Sequence, residues 1–502
     1  MIKTLRQAPF LRLSLFYITG IVFGTLVKIP TSFLVCVVFF SFLLIVSAFF
    51  FYSYKLRWLF GLILSLFLFA LGALFLEKEE RKTDWSNEGR KEYVAEIIDE
   101  PVRKPKTWMC LSRIEGKKVI LYISADSLSD SLCPGDLLLV RSDLQPVDVD
   151  YLRKKGIAAR GFVSQTQWQK AGRAQSFNLR YKSLAVRNKM LEILEQIIPE
   201  EESYSIASAL LTGYKEDLTP ELRKTFAVTG TSHILAVSGF HFSAIYGMMY
   251  FFLAFLGRSR KGRILTQAII LPVIWFYAFL TGLEASVIRA VLMLSLWGIG
   301  DALFLRAFTL NALGIAAFSM LIYNPLYLFD VGFQLSFSAV LSIVVINPHL
   351  VCLYQSRNPI LKYGWELCSV SLSAQVGTLP FCLFYFHQFP LTFLIANLFA
   401  VPLSGILLFL LPFSLLVYQV FPGITLVGII LNKSMHIFIS GLKNIEAIPN
   451  SLIEYLNFSL WDSVLMTAYL VSFVFFLIRK RVFYFCLGFL FVIVQVFHYF
   501  CR

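Results

Sequence analysis

The sequence predicts a polytopic α-helical membrane protein of about 10–12 spans, with a small OB-like β-barrel domain inserted on its extracytoplasmic side. Three observations lead there. Among 502 residues, 57% are hydrophobic and 15% charged, the mean hydropathy is +0.70, and 50 phenylalanines exceed what a soluble core buries. Several apolar runs reach the roughly 20 residues that cross a bilayer. Residues 78–182 break this pattern with abundant charge and strand-like alternation.

The basic start, Met1 to Arg12, runs into an apolar stretch without a small-residue cleavage site, so an uncleaved first span is expected rather than a signal peptide. Spans are predicted over 11–27, 31–53 and 57–76. Lys3, Arg6 and Arg12 precede the first, and Lys55 and Arg57 separate the second from the third. Both ends of that hairpin then belong in the cytoplasm, and residues 78–182 lie outside.

Within that outer domain, Tyr93 to Ile98, Val119 to Ile123, Asp136 to Val140 and Ala159 to Val163 read as strands, separated by turns at Glu115-Gly116 and Pro134-Gly135. The domain holds 20 Lys or Arg against 15 Asp or Glu, and from Tyr151 to Met190 there are ten basic residues and no acidic one. Tyr151, Phe162, Trp168, Phe177 and Tyr181 are interleaved with them. Cations that neutralise phosphates beside rings that stack bases suit single-strand binding. The same residues suit a juxtamembrane stretch on anionic headgroups with its aromatics in the barrel core, and the residues alone favour that second reading. Cys110 and Cys133 share this domain, so a disulfide between them is a candidate.

Residues 183–232 are expected to form amphipathic surface helices, with Leu184, Met190, Leu191, Leu194 and Ile198 on one apolar face and Thr219-Pro220 starting a helix. A channel-like membrane domain, 233–460, and two final spans, 461–502, complete the chain. Its spans are predicted at 233–257, 264–281, 285–303, 308–323, 326–346, 365–386, 462–478 and 482–500. Arg258 to Arg263, Arg306, Arg357 with Lys362, and Arg479 to Arg481 mark inward loops. Between 391 and 442 the apolar stretch is interrupted by Pro402, Pro412 and Lys433, and orientation requires an even number of crossings between 387 and 462. The overall charge of +14 reports this orientation and does not by itself imply nucleic acid.

Polar groups inside the apolar runs are the candidate functional residues, because each is costly in hydrocarbon unless paired or wet. The stretch Gly230 to His241 places His233, Ser238 and His241 at or inside the membrane boundary. Asp330, Gln334, Ser338 and Ser342 recur every fourth residue, and Ser371, Gln375 and Thr378 repeat the arrangement in the next span. Glu284, Arg289, Asn311 and Asn397 add further positions. Interhelical hydrogen bonding accounts for the isolated Ser and Thr more readily than for Asp330, Arg289 and the histidines. No pair among the six histidines has i, i+2 or i, i+4 spacing, so no metal site is predicted, and no cofactor. A phosphate-binding Gly-x-x-x-x-Gly-Lys-[Ser/Thr] motif is lacking, which assigns any ATP-driven motor to another chain. Ala236-Val-Ser-Gly239 loosely matches the Gly-x-Ser-Gly of intramembrane serine proteases, with His387 or His241 as a conceivable base.

Six blocks carry a resemblance. They are Leu210-Leu-Thr-Gly213 with Leu218-Thr-Pro-Glu-Leu-Arg223; His233-Ile-Leu-Ala-Val-Ser-Gly-Phe-His241; Leu280-Thr-Gly282 with Ser286-Val-Ile-Arg-Ala290; Asn324-Pro325 with Asp330-Val-Gly-Phe-Gln-Leu-Ser336; Gln375-Val-Gly-Thr-Leu-Pro380; and Asn397 with Val401-Pro402. In this order, behind three spans and a barrel-like segment, they resemble the ComEC-type competence proteins. The resemblance implies a plasma-membrane channel for transforming single-stranded DNA, with an outer domain that receives the strand. It further implies an extracytoplasmic DNA receptor, a cytoplasmic ATP-driven helicase or translocase and membrane lipids as partners. Oligomeric state stays open.

On that basis Arg153, Lys154, Lys155, Arg160 and Lys170 would attract DNA and Trp168 would stack it. His233, Ser238, His241, Glu284, Arg289, Asp330, Gln334, Gln375 and Asn397 would line the path. Two departures are visible. Of the family's Asn-Pro-Gly-Phe-Asp-Tyr block only Asp150-Tyr-Leu152 and Gly156-Ile157 remain recognisable, and no His-x-His-x-Asp-His of the metallo-β-lactamase-like nuclease domain occurs before Arg502. A channel without nuclease activity is therefore expected; an intramembrane serine hydrolase using Ser238, or a transporter of another polyanion or a lipid intermediate, are the alternatives.

Overall fold

A computed structural model describes residues 8–50, 57–85, 92–126, 128–174, 178–257, 259–305, 308–421, 425–481, 483, 486–488 and 490–492. The chain divides into two compact units: residues 1–188 with 271–330, and residues 189–270 with 331–502. Among the described residues, eight helices are long and apolar enough to cross a membrane: Pro9–Leu26, Thr31–Ala48, Trp58–Thr83, Arg260–Leu280, Ala285–Ala302, Val331–Val351, Pro359–Phe386 and Phe393–Val420. They fit a multi-pass membrane protein. Thr309–Tyr323 and Leu460–Phe476 are shorter apolar helices. Lys3, Arg6, Lys55, Phe177, Arg258 and Arg306 lie outside the described residues, as does most of the predicted span 482–500.

In the first unit, strands β1 (Glu92–Ile97), β2 (Val102–Arg103), β3 (Thr107–Ile114), β4 (Lys117–Ser124), β5 (Asp136–Arg141), β6 (Gln145–Pro146), β7 (Ile157–Val163) and β8 (Trp168–Arg173) form one mixed sheet. Its order is β6-β7-β4-β3-β1-β5-β8, with β2 paired to β3, and β4 and β7 run parallel. That order suits an OB-like domain, but the path ends on β6 and β8 without their pairing, so the expected barrel is not closed. Alternation builds the core: Tyr93, Ala95 and Ile97 of β1 point inward to meet Val119, Leu121 and Ile123 of β4. Glu115 and Gly116, both at positive φ, make the two-residue turn between β3 and β4.

Cys110 is fully buried in that core while Cys133 is exposed, and both thiols are free, so the anticipated disulfide is not formed. Burial also pushes the Cys110 thiol up to about 12. Helix Leu179–Ile197 starts beside the sheet: Arg180 pairs with Asp99 at 2.8 Å, Arg187 pairs with Glu100, and the Tyr181 hydroxyl donates to Glu96 at 2.6 Å.

In the second unit, the expected span 233–257 is not one helix. Ser232–Leu235 is a single turn, Ala236 and Ser238 are extended, and Gly239–Phe252 has 14 residues, roughly 21 Å, too short for a hydrocarbon core of about 30 Å. Pro402 and Pro412 lie within an unbroken Phe393–Val420 helix. The following helix, Thr425–Glu446, buries Leu431, Met435, Phe438, Ile439 and Leu442 at helical spacing and leaves Lys433 and His436 exposed. It shares one core with Leu194, Leu210 and Phe226 from the amphipathic helices Leu179–Ile197, Glu201–Thr212 and Pro220–Val228, and with Ile198 just beyond the first of them. Thr219 caps the last of these, accepting the Leu222 N–H at 3.3 Å, with Pro220 in the first turn as expected.

Candidate functional site

The β1–β8 sheet shows which of the predicted DNA-binding cations are already engaged. Arg153, on the short helix Asp150–Lys154, pairs with Asp84 at 3.2 Å. Lys154 lies over the Phe329 ring at 5.7 Å and Lys155 over the Tyr151 ring at 4.5 Å. All three remain exposed, so water screens these contacts. Lys170 is different. Its ammonium sits 2.7 Å from Asp136, whose side chain is 1% exposed, and Arg173 adds a second cation at 3.8 Å. Asp136 also accepts the Cys133 N–H at 2.9 Å. Lys170 therefore balances a buried carboxylate and holds β8 to β5.

The aromatic prediction changes as well. Trp168 packs against the sheet core, where it covers apolar neighbours rather than presenting a free face. Phe162 and Tyr151 are the rings turned outward; Phe162 is 69% exposed and stacked on Tyr122 of the adjacent parallel strand with centroids 5.0 Å apart at 20°. Arg160 is also exposed and lies two residues before it on the same face of β7. Tyr122 was not singled out by sequence reading; the signal is its register opposite Phe162, which only the β4–β7 pairing reveals.

The predicted path residues fall in both units. Glu284, Arg289 and Asp330 belong to the first, and His233, Ser238, His241, Gln334, Gln375 and Asn397 to the second. In the first unit, Arg289 is buried in helix Ala285–Ala302, Glu284 is exposed at its N-cap, and Asp330 is half-buried after the turn Pro325–Phe329.

In the second unit, Ser238 caps helix Gly239–Phe252. Its Oγ accepts the Phe240 N–H at 3.3 Å and lies 3.2 Å from His241 Nδ1, while the Ser238 backbone N–H donates to the same nitrogen at 3.4 Å. Nδ1 thus acts as acceptor, and in the neutral ring the proton sits on Nε2, which is buried and meets no hydrogen-bond partner among the described residues. Asn397 Oδ1 is likewise buried without one, and His233 is exposed.

The first polar stripe reaches the next helix, through Tyr385 and the Ser373 backbone rather than through Ser371, Gln375 or Thr378. Gln334 accepts the Tyr385 hydroxyl at 3.0 Å, and Ser342 donates to the Ser373 carbonyl at 2.5 Å, along the seam between helices 331–351 and 359–386. Gln375 is half-buried in the second of these helices. Gln334 and Ser342 therefore make hydrogen bonds between helices, as interhelical packing requires.

Residues 210–481, more than half of the chain, match the family described as "Competence protein". The chain belongs to the competence protein family. The resemblance read from the six motif blocks is thereby borne out, since all six fall inside the matched region. ComE operon protein 3 of Bacillus subtilis (strain 168) is 30% identical over 225 residues, 45% of this chain and 28% of that protein. An uncharacterized protein of Aquifex aeolicus (strain VF5) is 30% identical over 235 residues, 46% of this chain and 53% of its own length. The uncharacterized protein YcaI of Escherichia coli (strain K12) is 21% identical over 376 residues, 70% of this chain and 48% of that protein. The chain thus spans 28% to 53% of the length of these curated relatives. No solved structure matches it.

Proposed function

We propose that this chain serves DNA uptake during competence, as a plasma-membrane channel that passes transforming single-stranded DNA. The observation that carries the reading is the family match over residues 210–481, which contains the His233–His241 stretch, Arg289 and the 331–386 hairpin. The similarity to ComE operon protein 3 and the eight apolar helices support it. On the outer side, Arg153, Lys154, Lys155 and Arg160 attract phosphates, with affinity that falls as salt rises. Along the path, Arg289 meets phosphate, and Asp330 holds helix positions because a bare carboxylate repels the strand. Energy comes from a separate cytoplasmic ATP-driven translocase, and an extracytoplasmic receptor delivers the strand.

Uptake of fluorescent DNA into a deletion strain, complemented with wild type, Arg289→Ala or the triple Arg153→Glu/Lys154→Glu/Lys155→Glu, tests this. Wild type restores uptake; each variant, expressed to the same level, restores less than a tenth of it. Uptake that is independent of the gene overturns the assignment.

A hydrolase reading draws on one observation, the 3.2 Å approach of Ser238 Oγ to His241 Nδ1. The same contacts make a helix capping box, which accounts for all of them. Labelling by a serine-directed fluorophosphonate that vanishes in Ser238→Ala would favour the hydrolase.

A further inference from the structure

We propose that the outer sheet carries a nucleotide subsite on its β6–β7 side, in which Phe162 stacks one base of a single strand and Arg160 holds the adjoining phosphate; it rests on the DNA-uptake reading above. A cavity of about 300 Å³ opens there, lined by Ser142, Asp143, Gln145, Arg160, Phe162 and Gln167. Its volume lies at the lower end of small-ligand pockets, enough for one base rather than a folded partner.

A lone exposed phenylalanine needs no explanation. Phe162 is not alone. Tyr122 lies under it as a near-parallel second ring, so the pair presents a flat, rigid face whose stacking side is open to water. Gly161 makes the floor: a Cβ there would lie 2.5 Å from Leu144 Cδ2 and 3.1 Å from Ser142 Oγ, so β7 lies close against residues 142–144. Ser142 in turn donates to the Phe162 carbonyl at 2.7 Å, which fixes the strand beneath the ring.

The polar groups around this face have the chemistry of a base edge and a phosphate. Gln167 Oε1 is occupied by the Ser164 N–H at 3.1 Å, which turns the amide NH2 into its available donor. Gln145 stands opposite Arg160 in the β6–β7 ladder and supplies both a donor and an acceptor. Arg160 provides the phosphate contact. An aromatic face, a guanidinium and amides within one cavity suit a stacked base with its phosphate better than a lipid headgroup, which has no ring to stack.

The full-length chain in zwitterionic nanodiscs, titrated with a fluorescent oligothymidylate of about 12 nucleotides at several salt concentrations, tests this. Phe162→Ala weakens binding about tenfold and Phe162→Trp does not; Arg160→Gln weakens it and flattens the log–log salt slope by about 0.7, one phosphate of single strand. Against an abasic oligonucleotide of equal charge, Phe162→Ala makes no difference. Equal losses with the abasic strand, or an unchanged affinity of Phe162→Ala, overturn the subsite. So does a Phe162→Ala defect seen only in binding to anionic vesicles, which assigns the face to lipid. Both side chains are exposed, so the variants fold, and an unchanged thermal midpoint confirms it. Gene-independent DNA uptake removes the channel assignment without touching these titrations, whereas normal oligonucleotide binding by Phe162→Ala removes the subsite alone.

Discussion

In the β1–β8 sheet, the buried Asp136 carboxylate is met by Lys170 and Arg173, and both cations keep part of their length in water. In the hairpin of helices 331–351 and 359–386, Ser342 donates to a backbone carbonyl and Gln334 accepts a tyrosine hydroxyl, with no charge involved. The difference follows from access to solvent. A carboxylate can be buried at the edge of a wet domain because long cations reach it while their stems and heads stay hydrated. Between apolar helices the same ion pair would lose hydration on both sides, so neutral groups and close backbone approach do the work.

The hairpin half of this comparison is the easier to break. A Cβ on Gly377 would lie 2.4 Å from Ser342 Cβ and 2.6 Å from the Ser338 carbonyl oxygen, and backbone cannot yield as a flexible side-chain tip can. Gly377→Val should therefore pry the helices apart, break the Ser342–Ser373 hydrogen bond and cost about 3 kcal/mol, with Gly377→Ala intermediate. Folded yield and thermal midpoint in detergent measure it. A Gly377→Val protein as stable as wild type would show that the hairpin is held by something other than close approach.

The sheet half predicts a smaller loss. Asp136→Ala removes the acceptor of the Cys133 N–H and the counter-charge of two cations, but Lys170 and Arg173 are 43% and 68% exposed and water takes over their solvation. The expected cost is about 2 kcal/mol, below that of breaking a fully buried pair, and Asp136→Asn, which keeps an acceptor, should cost about half as much. Amide exchange in β5 and β8 reads this out. Lys170→Gln should loosen the same strands without lowering DNA affinity; a large fall in affinity with normal exchange would return Lys170 to the binding surface.

Much of this architecture was legible in sequence because hydropathy and period-2 alternation are local signals. Four strands were found within two residues of their observed ends, but β2, β3, β6 and β8 were missed; β3 opens on Thr107, Trp108 and Met109, all half-buried, which give no alternation to read. The break at Ala236–Ser238 was hidden for a different reason: hydropathy runs through it, and only the backbone turns aside to place Ser238 as a cap. That Phe162 is exposed while Trp168 is half-buried could not be read from the sequence, because which ring faces water depends on the β4–β7 and β5–β8 registers and no local pattern encodes them.

The Ser238–His241 cap belongs to neither half of the comparison, which makes it the finest test of it. Here a buried polar group is satisfied on one side only. A capping box ordinarily carries Glu or Gln at its third helical position, and here that position is His241. Ser238→Ala should cost about 1 kcal/mol, the usual value of a lost N-cap. His241→Glu is more informative, because its side-chain oxygen can take over from Nδ1 as acceptor of the Ser238 N–H, as in an ordinary capping box, while a carboxylate offers no donor in place of Nε2–H. If His241 is purely a cap, His241→Glu retains wild-type stability and wild-type DNA uptake. If Nε2–H serves the passage of the strand, stability is retained and uptake falls several-fold. Loss of both would mean that the imidazole is packed as a shape the surrounding helices need, and the open valence at Nε2 would then carry no functional meaning.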